Sequence, residues 1–356
     1  MIRVDGLRKT YGDFPAVVGS DFEVGDGEIF GVVGPNGAGK TTTLKMLAGL
    51  VEPTEGTATI GEYDAGDAEM RRHLGFLPEE SPLYEDMTAR SYLRFFADLY
   101  DVPREEATRR TEDTLDRLEL EHRDRRLGDM SKGMKRKVAI ARSLVNDPEL
   151  LIYDEPASGL DPLTTNYVLE FTRDLAERGK TVVFSAHNLY HVESVCDRVV
   201  IMNRGEIIAR GTVPEIRAEH GETSYHVFTT VPVEETDVVG ADVTDAVDVA
   251  ADTAVDATPD TDASAGPETY RSVVADMDAV ESVRSAAEKA GGEVVDIRTR
   301  EPSLEDIFLD LAGRPPETRD DGKGRPVAAQ ADGGVETLDG DGGDRSGHAR
   351  DDGGAR

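Results

Sequence analysis

The stretch GPNGAGKTT, residues 34 to 42, follows the apolar run IFGVV (29 to 33) and leads into TTTLKMLAGL (41 to 50), which has the spacing of a helix. Glycines let such a loop curl until several backbone N–H groups point inward, and the following helix offers its positive end. A lysine then suits the outer phosphates of a nucleotide, and a hydroxyl suits its magnesium ion. The stretch predicts a phosphate-binding loop between a strand and a helix, in an α/β fold. Its candidate nucleotide-binding residues are Gly34, Asn36, Gly37, Gly39, Lys40, Thr41 and Thr42.

Two carboxylates follow another apolar strand, in LLIYDEP (150 to 156). A nucleotide site needs a carboxylate for the metal ion and a group that activates water. Asp154 is the candidate for the Mg²⁺ site, together with Thr41, and Glu155 is the candidate that activates the attacking water. The alternative is that both acids merely cap the end of a strand. A phosphate loop in the same domain favours the catalytic interpretation.

Composition limits the possible partners. The 356 residues carry 72 acidic and 40 basic side chains, for a formal net charge of −32. This excess of negative charge disfavours a general attraction to nucleic acid or to an anionic membrane surface, so no nucleic-acid partner is expected. Only nine basic residues are lysine, which suits the high-salt cytoplasm of a halophile; the alternative is an acidic mesophilic protein with a disordered tail. No apolar run approaches the roughly 18 residues of a membrane span, so we expect a cytoplasmic chain.

The chain divides into regions of different character. Short apolar runs alternate with helical patterns in residues 1–218, which predicts an α/β domain with buried parallel strands. Four further runs, MIRV, TATI, VVIM and EIIA, are expected to form an antiparallel subsheet beside them. Residues 219–313 predict a small α+β accessory domain with a disordered acidic insertion at 234–268. The helix in SLEDIFLDLAG (303–313) is expected to complete its small core, and residues 314–356 to form a disordered tail.

These motifs together resemble the nucleotide-binding domain of ATP-binding cassette (ABC) transporters, over residues 1 to about 215. The resemblance lies in Tyr11, the phosphate loop, the Asp154-Glu155 strand end, SGLD at 158 to 161, and His187 after the strand TVVFSA. The motifs stand in the order of the family, which makes the resemblance specific.

The resemblance carries a fold and specific roles with it. It implies a P-loop NTPase cassette, with a RecA-like parallel core sheet, an antiparallel β subsheet and a helical subdomain at about 79–145. ATP and Mg²⁺ are then the ligands. By the same resemblance Tyr11 stacks on adenine, His187 contacts the γ-phosphate, and Asp161 lies in the loop that couples paired domains. The implied catalytic residues are Lys40, Glu155 and His187.

A signature segment comes before the Asp-Glu strand. The family usually has L-S-G-G-Q there, and this chain has MSKGM, residues 130 to 134. Ser131 can cap a helix whose start binds anions, and the resemblance implies that Ser131 and Gly133 bind the γ-phosphate of ATP held by a second, head-to-tail copy. The apolar stripe of that helix is Met134, Val138, Ala141 and Val145. Four basic residues are expected either to offset the charge of ATP and of an acidic partner domain, or to form a solvated helix face: Lys132, Lys135, Arg136 and Lys137.

Two departures from the common family pattern are informative. In GFLPEESPLY (75 to 84), Glu79 stands where the family usually has Gln, and its carboxylate can still ligate Mg²⁺ or a water of that ion. The S-K-G-M form and the C-terminal REPSLEDIFLDLAG resemble exporter ATPases of the ABC-2 type, which extrude sodium and drugs. With the acidic composition, this resemblance indicates a halophilic archaeal source.

The function implied by the resemblance is that of an ATP-hydrolysing subunit of an ABC exporter. It would form a homodimer or pair with a second ABC ATPase, and drive a separate multi-span permease of the ABC-2 type. That permease would dock around residues 79–100, so that the chain lies peripherally at the cytoplasmic face of the membrane. The alternative is a soluble ABC-type ATPase that remodels ribosomes or DNA, although such proteins generally carry two cassettes or a coiled-coil insertion. A third possibility is an ATP sensor without hydrolysis, which Glu155 and His187 disfavour.

Overall fold

The structure is a computed structural model that describes residues 2–221, 223–233, 242–247 and 269–313, with the backbone alone at 242–247. Residues Met1–Gly313 form one compact unit. The predicted tail at 314–356 lies outside the described residues. In chain order the described strands are β1 (Ile2–Tyr11), β2 (Phe14–Val24), β3 (Ile29–Val33), β4 (Glu55–Ile60), β5 (Tyr63–Asp64), β6 (Leu74–Leu77), β7 (Leu150–Tyr153), β8 (Thr181–Ala186), β9 (Arg198–Asn203), β10 (Glu206–Gly211), β11 (Ser224–Thr229), β12 (Asp242–Val247), β13 (Thr269–Val274) and β14 (Val294–Arg300). The described helices are α1 (Lys40–Leu47), α2 (Ala89–Leu99), α3 (Arg104–Arg117), α4 (Lys132–Ser143), α5 (Pro162–Glu177), α6 (Leu189–Val195), α7 (Val213–His220), α8 (Met277–Lys289) and α9 (Leu304–Gly313).

The central sheet contains the buried apolar runs of the sequence. Its strand order is β10-β9-β3-β8-β7-β6, and the strands from β9 to β6 run parallel. Every residue of β3, β7 and β8 is buried, as is typical of a parallel sheet covered on both faces. The carboxyl ends of β3, β7 and β8 lie at the same edge of this sheet, where α/β proteins bind their ligands.

The predicted antiparallel subsheet is correct only in part. MIRV and TATI lie in β1 and β4, which pair antiparallel in a second sheet of order β2-β1-β4-β5. The prediction is wrong for VVIM and EIIA, which lie in β9 and β10 of the central sheet, where β9 runs parallel to β3. The reason is burial, because all four residues of VVIM are buried, as in a strand covered on both faces.

An apolar layer joins the two sheets. Phe22 of β2 stacks on Phe30 of β3, with 5.3 Å between the ring centroids. Leu44 and Leu47 of α1 are fully buried in the same layer. The helix after the phosphate loop is therefore held between the sheets, which fixes the position of the loop itself.

Three helices lie in the region predicted to form a helical subdomain. α2 begins with a capping box, in which Thr88 accepts from the Ser91 N–H and Ser91 accepts from the Thr88 N–H. Arg90 of α2 forms ion pairs with Glu112 of α3 and with Asp124. α4 follows and packs against β6 of the central sheet and against α2. Among the described helices, none is both long enough and apolar enough to cross a membrane.

A third sheet follows α7, with antiparallel strands in the order β12-β13-β11-β14. α8 covers one face of it, and the core between them contains Val227, Val274, Val280 and Val283. The acidic insertion at 234–268 is predicted to be disordered, and this prediction is wrong for Asp242–Val247, which pairs with β13 as strand β12. Its Val and Thr residues favour extended backbone, and the edge of β13 supplies hydrogen bonds that do not depend on side-chain pattern. The rest of the insertion lies outside the described residues.

The last helix, α9, packs on α6 and α7. Leu304 and Ile307 are buried in the same core as those helices, and neither contributes to the core under the third sheet. Glu193 of α6 accepts the Leu304 N–H at 2.6 Å and pairs with Arg217 of α7 at 3.0 Å. The expectation that this helix completes the small accessory core is therefore wrong. The apolar faces of α6 and α7 lie beside it and bury its short apolar stripe.

Candidate functional site

The phosphate loop predicted at 34 to 42 lies between β3 and α1. Gly34 has a φ of +147°, and a Cβ atom there would lie 2.2 Å from a carbonyl oxygen of β9, so no side chain fits. Gly37 has a φ of +82°, which glycine adopts without steric cost. Lys40 begins α1, and its buried ammonium donates to the carbonyl oxygens of Gly34 at 2.8 Å and Pro35 at 3.2 Å. The loop is thus wrapped around its own lysine.

Two strands bring the predicted metal carboxylate to the loop. Asp154 follows β7, and its Oδ1 accepts from the Thr41 hydroxyl at 3.1 Å. Ser185 of the neighbouring β8 donates to the same oxygen at 2.6 Å, and accepts from the Glu155 N–H at 3.0 Å. Sequence patterns did not identify Ser185; a buried hydroxyl in the apolar run TVVFSA is the one signal that points to it.

Glu155 lies between two other predicted catalytic groups. Its Oε1 is 3.3 Å from the Lys40 Nζ, and its Oε2 is 2.8 Å from the His187 Nδ1. The carboxylate is buried, and Oε1 has no hydrogen-bond partner among the described residues. The backbone of Glu155 has a φ of +47°, a left-handed conformation that is uncommon for a non-glycine residue. The arrangement leaves one buried carboxylate oxygen available to a ligand.

A cavity of about 350 Å³ opens beside these groups. Thr41 and Glu79 line it, and the buried Asp154 carboxylate accepts the Thr41 hydroxyl at 3.1 Å from outside the lining; oxygen atoms of these kinds are the ligands that Mg²⁺ prefers. The residues present therefore fit this ion. The predicted residues that line the cavity are Asn36, Gly37, Gly39, Lys40, Thr41, Thr42, Glu79 and Glu155.

Two aromatic residues flank the turn of the β1–β2 hairpin. Tyr11 and Phe14 face each other in the strand register, and both are exposed. Phe14 lines the phosphate-loop cavity, whereas Tyr11 does not and has the Lys9 ammonium 5.2 Å from its ring centroid. Phe14 is a candidate nucleotide contact that the sequence motifs do not identify. Its signal in the sequence is a large aromatic residue in a tight turn.

The signature segment forms the start of α4. Ser131 is its N-cap and accepts from the Met134 N–H at 3.3 Å. A Cβ atom on Gly133 would lie 3.2 Å from the Thr164 side chain of α5, so glycine lets the two helix starts approach. The stripe residues Val138, Ala141 and Val145 are buried as predicted. Neither Ser131 nor Gly133 lines the phosphate-loop cavity of the same chain, within the part that the structure describes.

The four basic residues of this segment point in different directions. Lys132 and Lys135 line an open groove of about 500 Å³, together with Glu79. Arg136 is only 8% exposed, and the Lys137 ammonium lies 4.0 Å from the centroid of a tyrosine ring, where burial lowers its pKa. The expectation that all four offset the charge of ATP or face solvent is wrong for Arg136, which the helical period turns toward the protein interior. Lys137 is half-buried against the tyrosine ring.

Asp161 and His187 lie at the start of α5 and after β8, and of the two only His187 lines a smaller cavity. Asp161 is the N-cap of α5 and accepts from the Thr164 N–H at 3.0 Å and hydroxyl at 2.7 Å, which lowers the pKa of its carboxyl. His187 follows β8 and lines a cavity of about 170 Å³ behind Glu155, together with His191. Burial, and then the nearby His187, lower the pKa of His191, so it is neutral at pH 7.

Comparison with known proteins identifies the family to which this chain belongs. The sequence profile of the family described as "ABC transporter" matches residues 17–158. The linearmycin resistance ATP-binding protein LnrL of Bacillus subtilis (strain 168) is 33% identical over 317 residues, which cover 88% of this chain and 99% of that protein. The chain belongs to the ABC transporter family. It is an ATP-binding subunit of that family, as the sequence predicts.

Two further relationships agree with an ABC subunit. Nod factor export ATP-binding protein I of Burkholderia orbicola (strain AU 1054) is 40% identical over 208 residues, 58% of this chain and 68% of that protein. The solved structure of the ATP-binding cassette MJ0796, a dimer in a post-hydrolysis state with ADP and Pi, is similar to this chain with a TM-score of 0.55 and 28% identity. The match covers 60% of this chain and 98% of that one. The predicted P-loop cassette fold, the ATPase activity and the role as the ATPase subunit of an ABC exporter are confirmed at this level.

Proposed function

We propose that this ABC subunit hydrolyses ATP with Glu155 as general base, Lys40 on the outer phosphates, and His187 as the partner that orients Glu155. The observation that carries the proposal is the buried Glu155 carboxylate, with Lys40 and His187 on its two oxygens and no hydrogen bond to Oε1 among the described residues. The Lys40 ammonium lies 3.3 Å from Oε1, but no described donor makes a hydrogen bond to this oxygen, so a ligand that donates one would stabilise it. A water molecule that attacks the γ-phosphate is such a ligand.

Lys40 has two roles in this mechanism. Before ATP binds, its ammonium donates to two carbonyl oxygens of the loop and lies 3.3 Å from Glu155 Oε1. Phosphate oxygens attract an ammonium more strongly than neutral carbonyls do, so ATP draws Lys40 away from Glu155. Lys40 then no longer occupies the space beside Oε1, which leaves this oxygen to accept a proton from water while His187 holds Oε2. Thr41, Asp154 and Glu79 would hold Mg²⁺, and the ion would supply positive charge beside the phosphates.

A second copy, or a second ABC ATPase, completes the site in our proposal. Support comes from the free N-terminus of α4, where Ser131 and Gly133 lie outside the phosphate-loop cavity of their own chain. A capped helix start attracts anions through its N–H groups and its dipole, which suits the γ-phosphate of ATP held by the partner. Asp161 begins α5 beside this point and is proposed to couple the two copies.

We propose that the membrane partner is a multi-span permease of the ABC-2 type, docked over residues 79–100. Support comes from apolar side chains exposed in this region, since such patches mark protein contacts. Tyr84 is 55% exposed and Leu99 is 62% exposed, and Tyr84 packs edge-on against Phe95 at 5.8 Å. The chain would then lie peripherally at the cytoplasmic face. The names of the relatives, one for linearmycin resistance and one for Nod factor export, support a substrate that leaves the cell.

We also propose a halophilic archaeal source, on composition alone. With 72 acidic residues against 40 basic ones, the chain keeps a strong negative charge that concentrated salt screens. Arginine supplies most of the basic side chains, as it does in the ion pairs that Glu112 of α3 forms with Arg90 and Arg123.

The test is the ATPase activity of the Glu155→Gln variant. Glutamine keeps the size of the side chain and cannot take a proton, so turnover should fall at least about 100-fold while ATP binding and ATP-driven dimerisation persist. Lys40→Ala should fail earlier, with weak ATP binding. Glu149→Gln, at the opposite end of β7, is the matched control and should keep normal turnover. Turnover of Glu155→Gln close to that of the wild type would refute the assigned role.

A further inference from the structure

Arg136 of α4 is a buried cation with an unusual set of partners. Its guanidinium forms no ion pair with a carboxylate among the described residues and instead donates to five backbone carbonyl oxygens. Nε donates to Pro156 at 2.7 Å, Nη1 to Pro78 at 2.9 Å and Glu79 at 3.0 Å, and Nη2 to Asp154 at 3.1 Å and Glu155 at 2.7 Å. A guanidinium has five N–H groups, so every donor has one acceptor.

These carbonyls belong to two segments that are distant in the sequence. Pro78 and Glu79 follow β6, and Asp154 to Pro156 follow β7. Arg136 itself lies about one helical turn after Gly133 of the signature segment. One side chain therefore joins the start of α4, the segment that carries Glu79, and the turn that carries Glu155.

The chemistry of this contact requires arginine. A lysine has three donors on one nitrogen and cannot reach five acceptors spread around a plane, and a glutamine has two donors. Burial lowers the pKa of Arg136 to about 10, and at pH 7 the group is still charged. A buried charge is expensive, and the groups that stabilise this one, five carbonyl oxygens and the nearby Asp154 and Glu79 carboxylates, all belong to the segments that form the site.

We infer that Arg136 is the positioning residue of Glu155: its five hydrogen bonds hold the left-handed turn that aims the Glu155 carboxylate between Lys40 and His187. The inference rests on the proposed role of Glu155 as general base. The backbone of Glu155, with its φ of +47°, is held by Arg136 at the carbonyl and by Ser185 at the N–H. A shift of α4 or of the Glu79 segment therefore reaches the catalytic carboxylate through Arg136.

The test compares Arg136→Lys and Arg136→Gln with Arg142→Gln in the full chain. Arg142 lies on the same helix, contacts Tyr92 and the ring of Phe96, and touches no group of the site, so its loss is a matched change of charge. We expect kcat for ATP to fall about 10- to 100-fold in both Arg136 variants, with KM within about threefold, because a small displacement of a reacting group is enough for such a loss. Arg142→Gln should keep both constants within about twofold.

A second measurement separates positioning from folding. In the Glu155→Gln background the base is already absent, so adding Arg136→Lys should leave the residual turnover unchanged and keep ATP-driven dimerisation. If Arg136→Gln does not fold, the kinetic constants of Arg136→Lys alone decide whether Arg136 positions Glu155.

A kcat of Arg136→Lys within twofold of the wild type would overturn the inference. So would loss of dimerisation in the double variant, or a parallel rise in KM, since each assigns Arg136 to the fold or to ATP binding. If Glu155→Gln alone keeps normal turnover, the proposed function fails instead, and the two failures are distinct.

Discussion

Ser185 is a buried hydroxyl that no motif identifies, yet it contacts both Asp154 and Glu155. It donates to Asp154 Oδ1 at 2.6 Å and accepts the Glu155 N–H at 3.0 Å. The pairing of β7 with β8 brings it there, because the two strands run parallel and end together. One hydroxyl thus orients the candidate metal ligand and the backbone of the candidate base.

We predict that Ser185→Ala lowers kcat for ATP about 10-fold, since loss of a group that orients a metal ligand typically costs that much. The matched control is Ser143→Ala. Ser143 is also buried, donates to the Ile140 carbonyl at 2.7 Å and contacts the Tyr153 hydroxyl at 3.0 Å, with no contact to the site. Both variants should lose about 1–2 kcal/mol of unfolding free energy, measured by thermal or denaturant melts. An equal fall of kcat in the two variants would mean that Ser185 acts through stability alone.

Site residues that the sequence identifies lie in local motifs. Site residues that it does not identify act through contacts with residues that are distant in the sequence. Lys40 and Thr41 sit in a contiguous motif, and Glu155 directly follows an apolar strand, so local patterns identify them. Arg136 acts on carbonyls of Pro78 and Glu79, almost sixty positions away, and such a contact exists only after α4 packs against β6. Its sequence neighbourhood, three other basic side chains, favours a surface position instead.

At the scale of secondary-structure elements, ion pairs join helix α2 to helix α3. Glu112 of α3 accepts from Arg90 Nε at 2.6 Å and Nη2 at 2.9 Å, and from Arg123 Nη1 at 2.9 Å. Arg90 first, and then Arg123, lower the pKa of Glu112 to about 2. The side chain is 35% exposed, so solvent weakens each interaction, and the cluster stabilises the helix pair only modestly.

We predict that Glu112→Gln lowers the unfolding free energy by about 0.5–1 kcal/mol at pH 7 in dilute salt. Asp113→Asn removes an exposed charge from the same helix and is the matched control, with an expected change below about 0.5 kcal/mol. Because folding depresses the pKa of Glu112, its contribution is complete above the unfolded value of about 4.3 and fades as the pH falls toward about 2. A difference between the variant and the wild type that stays constant over this range in denaturant melts would contradict the assignment.

Element types were easier to predict than element partners. The runs in β3, β7 and β8 indicate buried strands because each contains at least three consecutive apolar residues and no charged one. The partners of α9 were not predictable from its own sequence, since Leu304 and Ile307 suit any apolar groove. Strand β12 has the same limitation, because an acidic segment becomes a strand only when the edge of β13 is available to pair with it.

At the scale of the whole molecule, the nucleotide-binding groups and the exposed apolar residues proposed to contact a permease lie in different parts of the described fold. The nucleotide groups meet at one edge of the central sheet, while the exposed apolar residues Tyr84, Phe95 and Leu99 lie on and just before α2. The Glu79 segment is connected to both, because Glu79 lines the phosphate-loop cavity and the open groove of Lys132. A permease docked on α2 would therefore act on the site through this segment.

Affinity capture of tagged Glu155→Gln from detergent-solubilised native membranes, in concentrated KCl with ATP and Mg²⁺, tests the transporter function most directly. We predict a stoichiometric polytopic membrane protein by mass spectrometry. Leu99→Asp in the tagged chain should abolish the capture, whereas Leu309→Asp, at an equally exposed leucine of α9, should not. Capture of ribosomal or DNA-bound proteins, with no membrane protein, would contradict a role in transport.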